Sequence, residues 1–299
     1  MSSPDPDRPT REHAGRLAAA AARRHGIEDP VEPLGAGANH VFRAGDVVVR
    51  VAPRSTDVSS QVALARRLAS EGFPVAAPLA DAEAIGGAKV SLWEYIGADE
   101  RRPIDFEQLG EVVGRLHRVP PARLTDVVAL PFCGDATWLA VEQRLAPAEA
   151  ANVVDADGLA ALRQHCVALR DWRSRAHRDA VVVCHGDVHP HNVLMRGDEV
   201  VIIDWDAICL GPPAFDHAAL VTWAERWGGA PQTYPDFARG YGADLRESPL
   251  AQELAELRLL AATINMIING ASDRGCAAEA KARMRYWLGD PAAPTWTPF

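Results

Sequence analysis

Residues 184–206, CHGDVHPHNVLMRGDEVVIIDWD, hold the densest set of groups in this chain that could do chemistry. A short apolar run, VVVC, leads into a polar loop with one acid, Asp187. Asn192 follows five residues later, Asp204 twelve residues after that, and Asp206 two further on. An Asn and an Asp at the ends of neighbouring strands offer oxygen ligands to a hard cation such as magnesium. A separate carboxylate in the same loop can orient a hydroxyl or accept its proton. Together these groups suit phosphoryl transfer, where positioning and charge neutralisation do most of the work.

Blander readings exist for each group. His185, His189 and His191 invite a zinc site, but the loop has no third soft ligand to complete one. Asp187 taken alone would be a capping or surface acid. Asp206 suits a metal ligand and a turn cap equally.

The elements that must position this segment are legible from period and punctuation. Residues 10–25 carry a helical period that stops at Gly26. From 31 the period changes to that of three short strands, turned at Gly35–Ala38 and Gly45–Asp46. An amphipathic helix over 57–71 ends at Gly72, and two more strands flank Gly86–Gly87. After Gly97 the chain turns helical, with helices over 109–119 and 157–177. A buried strand follows at 181–184, then a hairpin of 193–195 with 199–204 turned at Gly197–Asp198. Helices broken near Gly228–Gly229 and Gly242 fill 214–288. This is an α+β order: an antiparallel sheet with one main helix over 1–96, then a mostly helical region over 97–299 that carries the hairpin. Residues 1–9 are expected to be disordered, and the one visible linker lies near 96–104.

The pattern His185-Gly186-Asp187-x-His189-x-x-Asn192, followed by Ile203-Asp204-Trp205-Asp206, resembles the signature of the aminoglycoside phosphotransferase and choline kinase superfamily. These are small-molecule relatives of protein kinases. The gap from Asp187 to Asn192 also matches the protein-kinase catalytic loop. A five-residue gap alone is a weak signal; the full pattern with its intervening hairpin is a strong one. The resemblance extends over nearly the whole chain and implies a protein-kinase-like fold of two lobes. It implies Asp187 as catalytic base, and Asn192 and Asp204 as magnesium ligands with Asp206 beside them. His185 would brace the loop, His189 would orient it, and Asp216 in PPAFDHAAL would hold it from below. The co-substrate implied is ATP or GTP.

In the first lobe, Gly35 and Gly37 occupy the place of the family's nucleotide-covering turn, and a lone GxG would not suggest it unaided. Arg50 stands where the family usually has a lysine. The position on the next helix best aligned with the usual glutamate is Gln61, so an Arg–Gln pair is expected in place of Lys–Glu, with Glu71 as the other possible partner. Backbone groups at Glu94, Tyr95 and Ile96 are expected to meet the base of the nucleotide. The acceptor pocket in relatives is built by second-lobe helices and carries carboxylates. Asp135, Trp138, Glu142, Glu225 and Asp236 are the candidates here, each with solvated helix surface as its bland reading. Trp223 and Trp227, spaced i, i+4, suit core packing better than a pocket wall, and the terminal Phe299 carboxylate is a further candidate.

Bulk properties narrow the function. The 299 residues carry a formal net charge of -9, which disfavours nucleic acid as a partner and favours a cationic one. Five cysteines with no CxxC spacing point to a reducing compartment. The opening MSSPDPDRPT has no secretory pattern and no apolar stretch suits a membrane span, so a cytoplasmic monomer or dimer is expected. The reading favoured is a kinase for a cationic antibiotic, an aminoglycoside or a basic peptide. A small-alcohol kinase of choline, ethanolamine or homoserine type follows. The Arg50/Gln61 departure keeps open a silent nucleotide-binding regulator.

Overall fold

The computed structural model describes residues 9–36, 39–97 and 102–297. In chain order the elements are α1 (Arg11–Arg24), β1 (Glu32–Ala36), β2 (His40–Ala44), β3 (Val47–Ala52), α2 (Val58–Ser70), β4 (Glu83–Ile85), β5 (Ala88–Glu94), α3 (Phe106–Leu116), α4 (Val141–Ala150), α5 (Ala156–Leu169) and α6 (Trp172–Ala176). They continue with β6 (Val182–Cys184), β7 (Val193–Arg196), β8 (Glu199–Ile202), β9 (Cys209–Gly211), α7 (Ala214–Val221), α8 (Trp223–Trp227), α9 (Thr233–Tyr241), α10 (Pro249–Gly270) and α11 (Arg274–Trp287). The chain forms two compact units. One takes the residues up to Asp105 with Ala122–Ala129 and Pro190–Asp206, and the other takes the remainder. The β7–β8 hairpin, a two-stranded sheet of its own, therefore belongs with the first unit.

In the first unit the sheet runs β1-β2-β3-β5-β4, and every neighbouring pair is antiparallel. Strand alternation sorts its residues. Phe42, Val49, Val51, Val90 and Leu92 point to one face and are buried against Ala14, Leu17, Ala18 and Ala21 of α1. Those α1 residues recur at helical spacing, and the Thr10 side chain caps the helix by accepting from the His13 N–H at 3.2 Å. Val41, Val48, Arg50 and Trp93 point the other way and line a cavity. α2 starts where Asp57 accepts from the Ser60 N–H, and buries Val62, Leu64, Ala65 and Leu68. The hairpin joins this unit through the Ile202 N–H, which donates to the Pro74 carbonyl at 3.2 Å.

The second unit is built on α10, whose apolar residues are buried among α4, α7 and α11. α3 crosses α9 closely because Gly110 has no Cβ; one there would lie 2.0 Å from the Phe237 carbonyl oxygen. β6 pairs antiparallel with β9, which places Cys184 opposite Cys209. The helix expected over 157–177 is two helices. α5 ends at Leu169, and the chain re-aims through Asp171 so that Trp172 on α6 is buried. α4 carries Pro147 inside it, a residue that argues against a helix when read in sequence. Among the described residues no helix is long and apolar enough to cross a membrane.

Candidate active site

The loop after β6 is fixed by one buried carboxylate. Asp216, in the first turn of α7, accepts from the His185 N–H at Oδ2 and from the Gly186 N–H at Oδ1, both at 2.8 Å. His117, just past α3, places Nε2 3.0 Å from Asp216 Oδ2, and its Nδ1 lies 2.9 Å from the Tyr241 hydroxyl. Burial pushes the Asp216 carboxyl up. The hydrogen bond and charge of His117, with His185 and the Gly186 N–H, outweigh that and hold it below the ordinary value. Gly186 has φ of 89°, and a Cβ there would lie 2.0 Å from the Ala207 carbonyl oxygen, so the turn admits no side chain. The fully buried His185 ring accepts from the Asp187 N–H at 3.2 Å.

Asp187 itself is half-buried. His189 Nε2 lies 3.4 Å from its Oδ2, and the Arg258 guanidinium of α10 bonds its Oδ1. Burial raises the carboxyl, but Arg258, then His189 and His185, bring it well below the usual carboxylate range. The His189 ring lies parallel to Trp223, with centroids 6.1 Å apart, and Trp223 stacks on Trp227 at 5.7 Å. Neither Arg258 nor His117 was foreseen from sequence. The available signal for Arg258 is that it is the one charged residue between Glu256 and Asp273.

In the first unit, a cavity of about 490 Å³ is lined by Gly35, Arg50, Gln61, Glu94, Tyr95, Ile96, Asn192, Asp204 and Asp206, among others. That volume is in the range of small-molecule sites. Gly37 and Phe299 lie outside the described residues. The hairpin sets the acids: the Ile203 N–H donates to the Asn192 carbonyl at 3.0 Å, and the Trp205 indole N–H to the Ile202 carbonyl at 3.1 Å. Asp204 is held at φ of 64°, a left-handed conformation that Asp tolerates better than most residues and that recurs at functional sites.

The expected Arg50–Gln61 pair is not formed. Arg50 points along the strand-face direction to the two acids, bonding Asp206 and lying 3.2 Å from Asp204 Oδ1. Asn39, with its carboxamide oxygen turned to Arg50, accepts from Nε at 3.0 Å and Nη2 at 2.5 Å. Gln61 Oε1 is buried with no partner among the described residues, and Glu71 pairs with Arg123 at 3.0 Å instead. Charge decides this: a guanidinium between two carboxylates gains more than one beside a neutral amide. Asn39 sits directly after the glycine-rich turn, and nothing in its spacing marked it. Of the N–H groups in the Glu94–Ile96 stretch, those of Glu94 and Tyr95 are spent on the Ala77 and Asp46 carbonyls, both at 2.9 Å.

Asn192, Asp204 and Asp206 suit a divalent cation. Arg50 Nη2 already marks a point where two carboxylates converge on one positive atom, and the donors are all oxygens.

The expected acceptor residues are not gathered. Asp135 and Glu225 are exposed. Glu142 lines a separate cavity of about 170 Å³ with Cys166 and Trp172. Asp236 is paired with Arg239, which also bonds Glu107 at 2.9 Å. Trp138 comes near the loop, its ring 4.9 Å from the Arg258 guanidinium. Helix periodicity gave the acids an outward face but not which face looks toward the loop.

This fold is that of the protein-kinase-like phosphotransferases. The chain belongs to the phosphotransferase enzyme family, whose profile matches residues 30–260. Among solved structures it is similar to spectinomycin phosphotransferase APH(9)-Ia in complex with ADP and spectinomycin. That match has a TM-score of 0.66 and 16% identity, covering 92% of this chain and 97% of the other. A choline/ethanolamine kinase family protein from Mesorhizobium loti matches with a TM-score of 0.66 and 23% identity, over 94% and 95%. Amicoumacin kinase hAmiN, solved with AMP-PNP, Ca2+ and Ami, matches with a TM-score of 0.64 and 16% identity, over 94% and 95%. No protein of curated function matches the chain.

His217 follows Asp216 on α7 and is fully buried, with Nδ1 3.0 Å from the Tyr234 hydroxyl and no partner for Nε2 among the described residues. Burial, and then the nearby charge of His117, push it down to about 4. The unfolded chain, with an imidazole near 6.5, takes up that proton first as pH falls. Stability should therefore drop between pH about 6.5 and 4, by up to about 3 kcal/mol from this group. His217→Gln should flatten that part of the curve, measured as urea midpoint against pH; an unchanged slope would contradict it.

Proposed function

We propose that the chain moves the γ-phosphoryl group of a magnesium-bound nucleoside triphosphate, ATP or GTP, to a hydroxyl of a small molecule. The observation that carries this reading is the Asp187 loop, braced by Asp216, five residues before Asn192 in a chain of the phosphotransferase family. Asp187 would orient the acceptor hydroxyl through its carboxylate. The acceptor O–Pγ bond forms as the bond from Pγ to the leaving nucleoside diphosphate breaks. The hydroxyl proton passes to Asp187 and then to solvent. A carboxylate held this far below the usual range is a weak base, so that proton leaves late, when the oxygen has become acidic.

Asn192, Asp204 and Asp206 would hold magnesium, which when bound neutralises charge on the phosphate oxygens. Arg50 would exchange its carboxylate partners for phosphate oxygens as nucleotide enters. The Ile96 N–H is the donor in its stretch left for the edge of the base.

The acceptor we favour is a cationic antibiotic, in keeping with the net charge of -9 and with relatives solved with spectinomycin and amicoumacin. A small quaternary or primary ammonium alcohol is the second reading. The Trp223–Trp227 stack beside His189 supports it, since an indole face attracts such cations. A cytoplasmic location follows from either.

Asp187→Asn should lower turnover by about 10²-fold or more with nucleotide binding retained, measured as phosphorylated product per time. Wild-type turnover would remove Asp187 from this role. Asp204→Ala should weaken binding of the magnesium-nucleotide in a calorimetric titration, and unchanged affinity would contradict its assignment.

A further inference from the structure

Arg258 is held by more partners than a surface arginine requires. Its guanidinium bonds Asp187 Oδ1 and donates from Nη1 to the Gly186 carbonyl at 3.0 Å. It lies 4.9 Å from the Trp138 ring centre and 5.7 Å from that of Phe215, and its side chain is only 10% exposed. The residue sits on α10, where every neighbour from Leu257 to Ser272 is uncharged. Burying a cation costs free energy unless a specific partner repays it, and the partner here is the carboxylate that the reaction needs.

We propose that Arg258 is a positioning residue for phosphoryl transfer: it grips Asp187 through Oδ1 and so holds the carboxylate in place to meet the acceptor hydroxyl. The inference rests on the reading of Asp187 given above. Among the described residues, the charged or titratable groups that act on Asp187 include Arg258 from α10 and His185 and His189 from its own loop. Of these, the arginine is the one that keeps its charge at any working pH. Without it, burial would raise the carboxyl, and a protonated Asp187 would donate to the hydroxyl where it should accept. The second bond, to the Gly186 carbonyl, ties the guanidinium to the same turn that Asp216 holds from the other side.

The test is a carbon-13 carboxyl titration by NMR on the full chain, with Asp187 assigned by its loss in Asp187→Asn. The wild-type Asp187 signal should not titrate before the fold is lost in acid. Arg258→Gln should bring it into the folded range, a displacement of about 1–3 pH units. Arg258→Lys, which keeps charge but not the planar fork, should move it less. Hydrolysis of magnesium-ATP, with water as acceptor, should show the same upward shift of its acid limb in Arg258→Gln, with KM for ATP little changed. A merely structural arginine would leave that limb where it is. A wild-type Asp187 that titrates at an ordinary value, or an acid limb unmoved in Arg258→Gln, would overturn the proposal. Should Arg258→Gln not fold, the wild-type titration and the lysine variant still decide it. A wild type with no turnover on any acceptor, but with Asp187 ionised throughout, would count against the kinase reading alone.

Discussion

The bonds from Asp216 to the His185 and Gly186 N–H groups are the constraint on which the second unit's chemistry depends. A loop with a left-handed glycine, Gly186, and several polar side chains has no regular ladder to hold it. One buried carboxylate supplies that order by taking two consecutive backbone donors, with His117 satisfying its remaining charge. Removing one member of such a buried pair commonly costs about 3–5 kcal/mol, because the others are left desolvated and unpaired. The placement also uses the fold economically. Asp216 lies in the first turn of α7, where a negative charge is favourable, and α3 brings His117 in over the close Gly110 crossing.

The first unit solves a different problem. It holds Asp204 and Asp206 close together, and like charges so placed repel. Arg50 relieves this by reaching both, while Asn39 fixes the guanidinium from behind. The left-handed φ at Asp204 is a local cost that the hairpin offsets through the Ile202 and Ile203 backbone bonds and the Trp205 indole N–H. The same strand alternation that buries Val49 and Val51 against α1 turns Arg50 to the cavity. Sheet stability and site geometry are thus two faces of one pattern.

Much of this was readable in the residues because it is local. The strands β1 to β5, the β7–β8 hairpin and the loop between β6 and β7 follow from short-range period and turn chemistry. His185, Gly186 and Asp187 are tied to Asp216 by an order of elements that the motif itself implies. What could not be read depends on distant contacts. Arg258 reaches Asp187 across 71 residues, and His117 reaches Asp216 across 99. The position of the next helix suggests an Arg50–Gln61 pair, whereas the nearer unlike charges lie just past the hairpin. The acceptor acids could not be fixed from sequence for a similar reason: helical period shows which residues are outward, not what they face. The break between α5 and α6 was hidden because both halves share one apolar period until Trp172 must turn inward.

Whether this chain phosphorylates a small molecule can be measured directly. The most direct measurement is mass spectrometry of acceptors after incubation with the purified protein, magnesium and ATP or GTP. Aminoglycosides, basic-peptide antibiotics, macrolides, choline, ethanolamine and homoserine make up the set. One class should gain a single phosphate, with one nucleoside diphosphate released for each. A protein that binds no magnesium-nucleotide and phosphorylates none of these would contradict it.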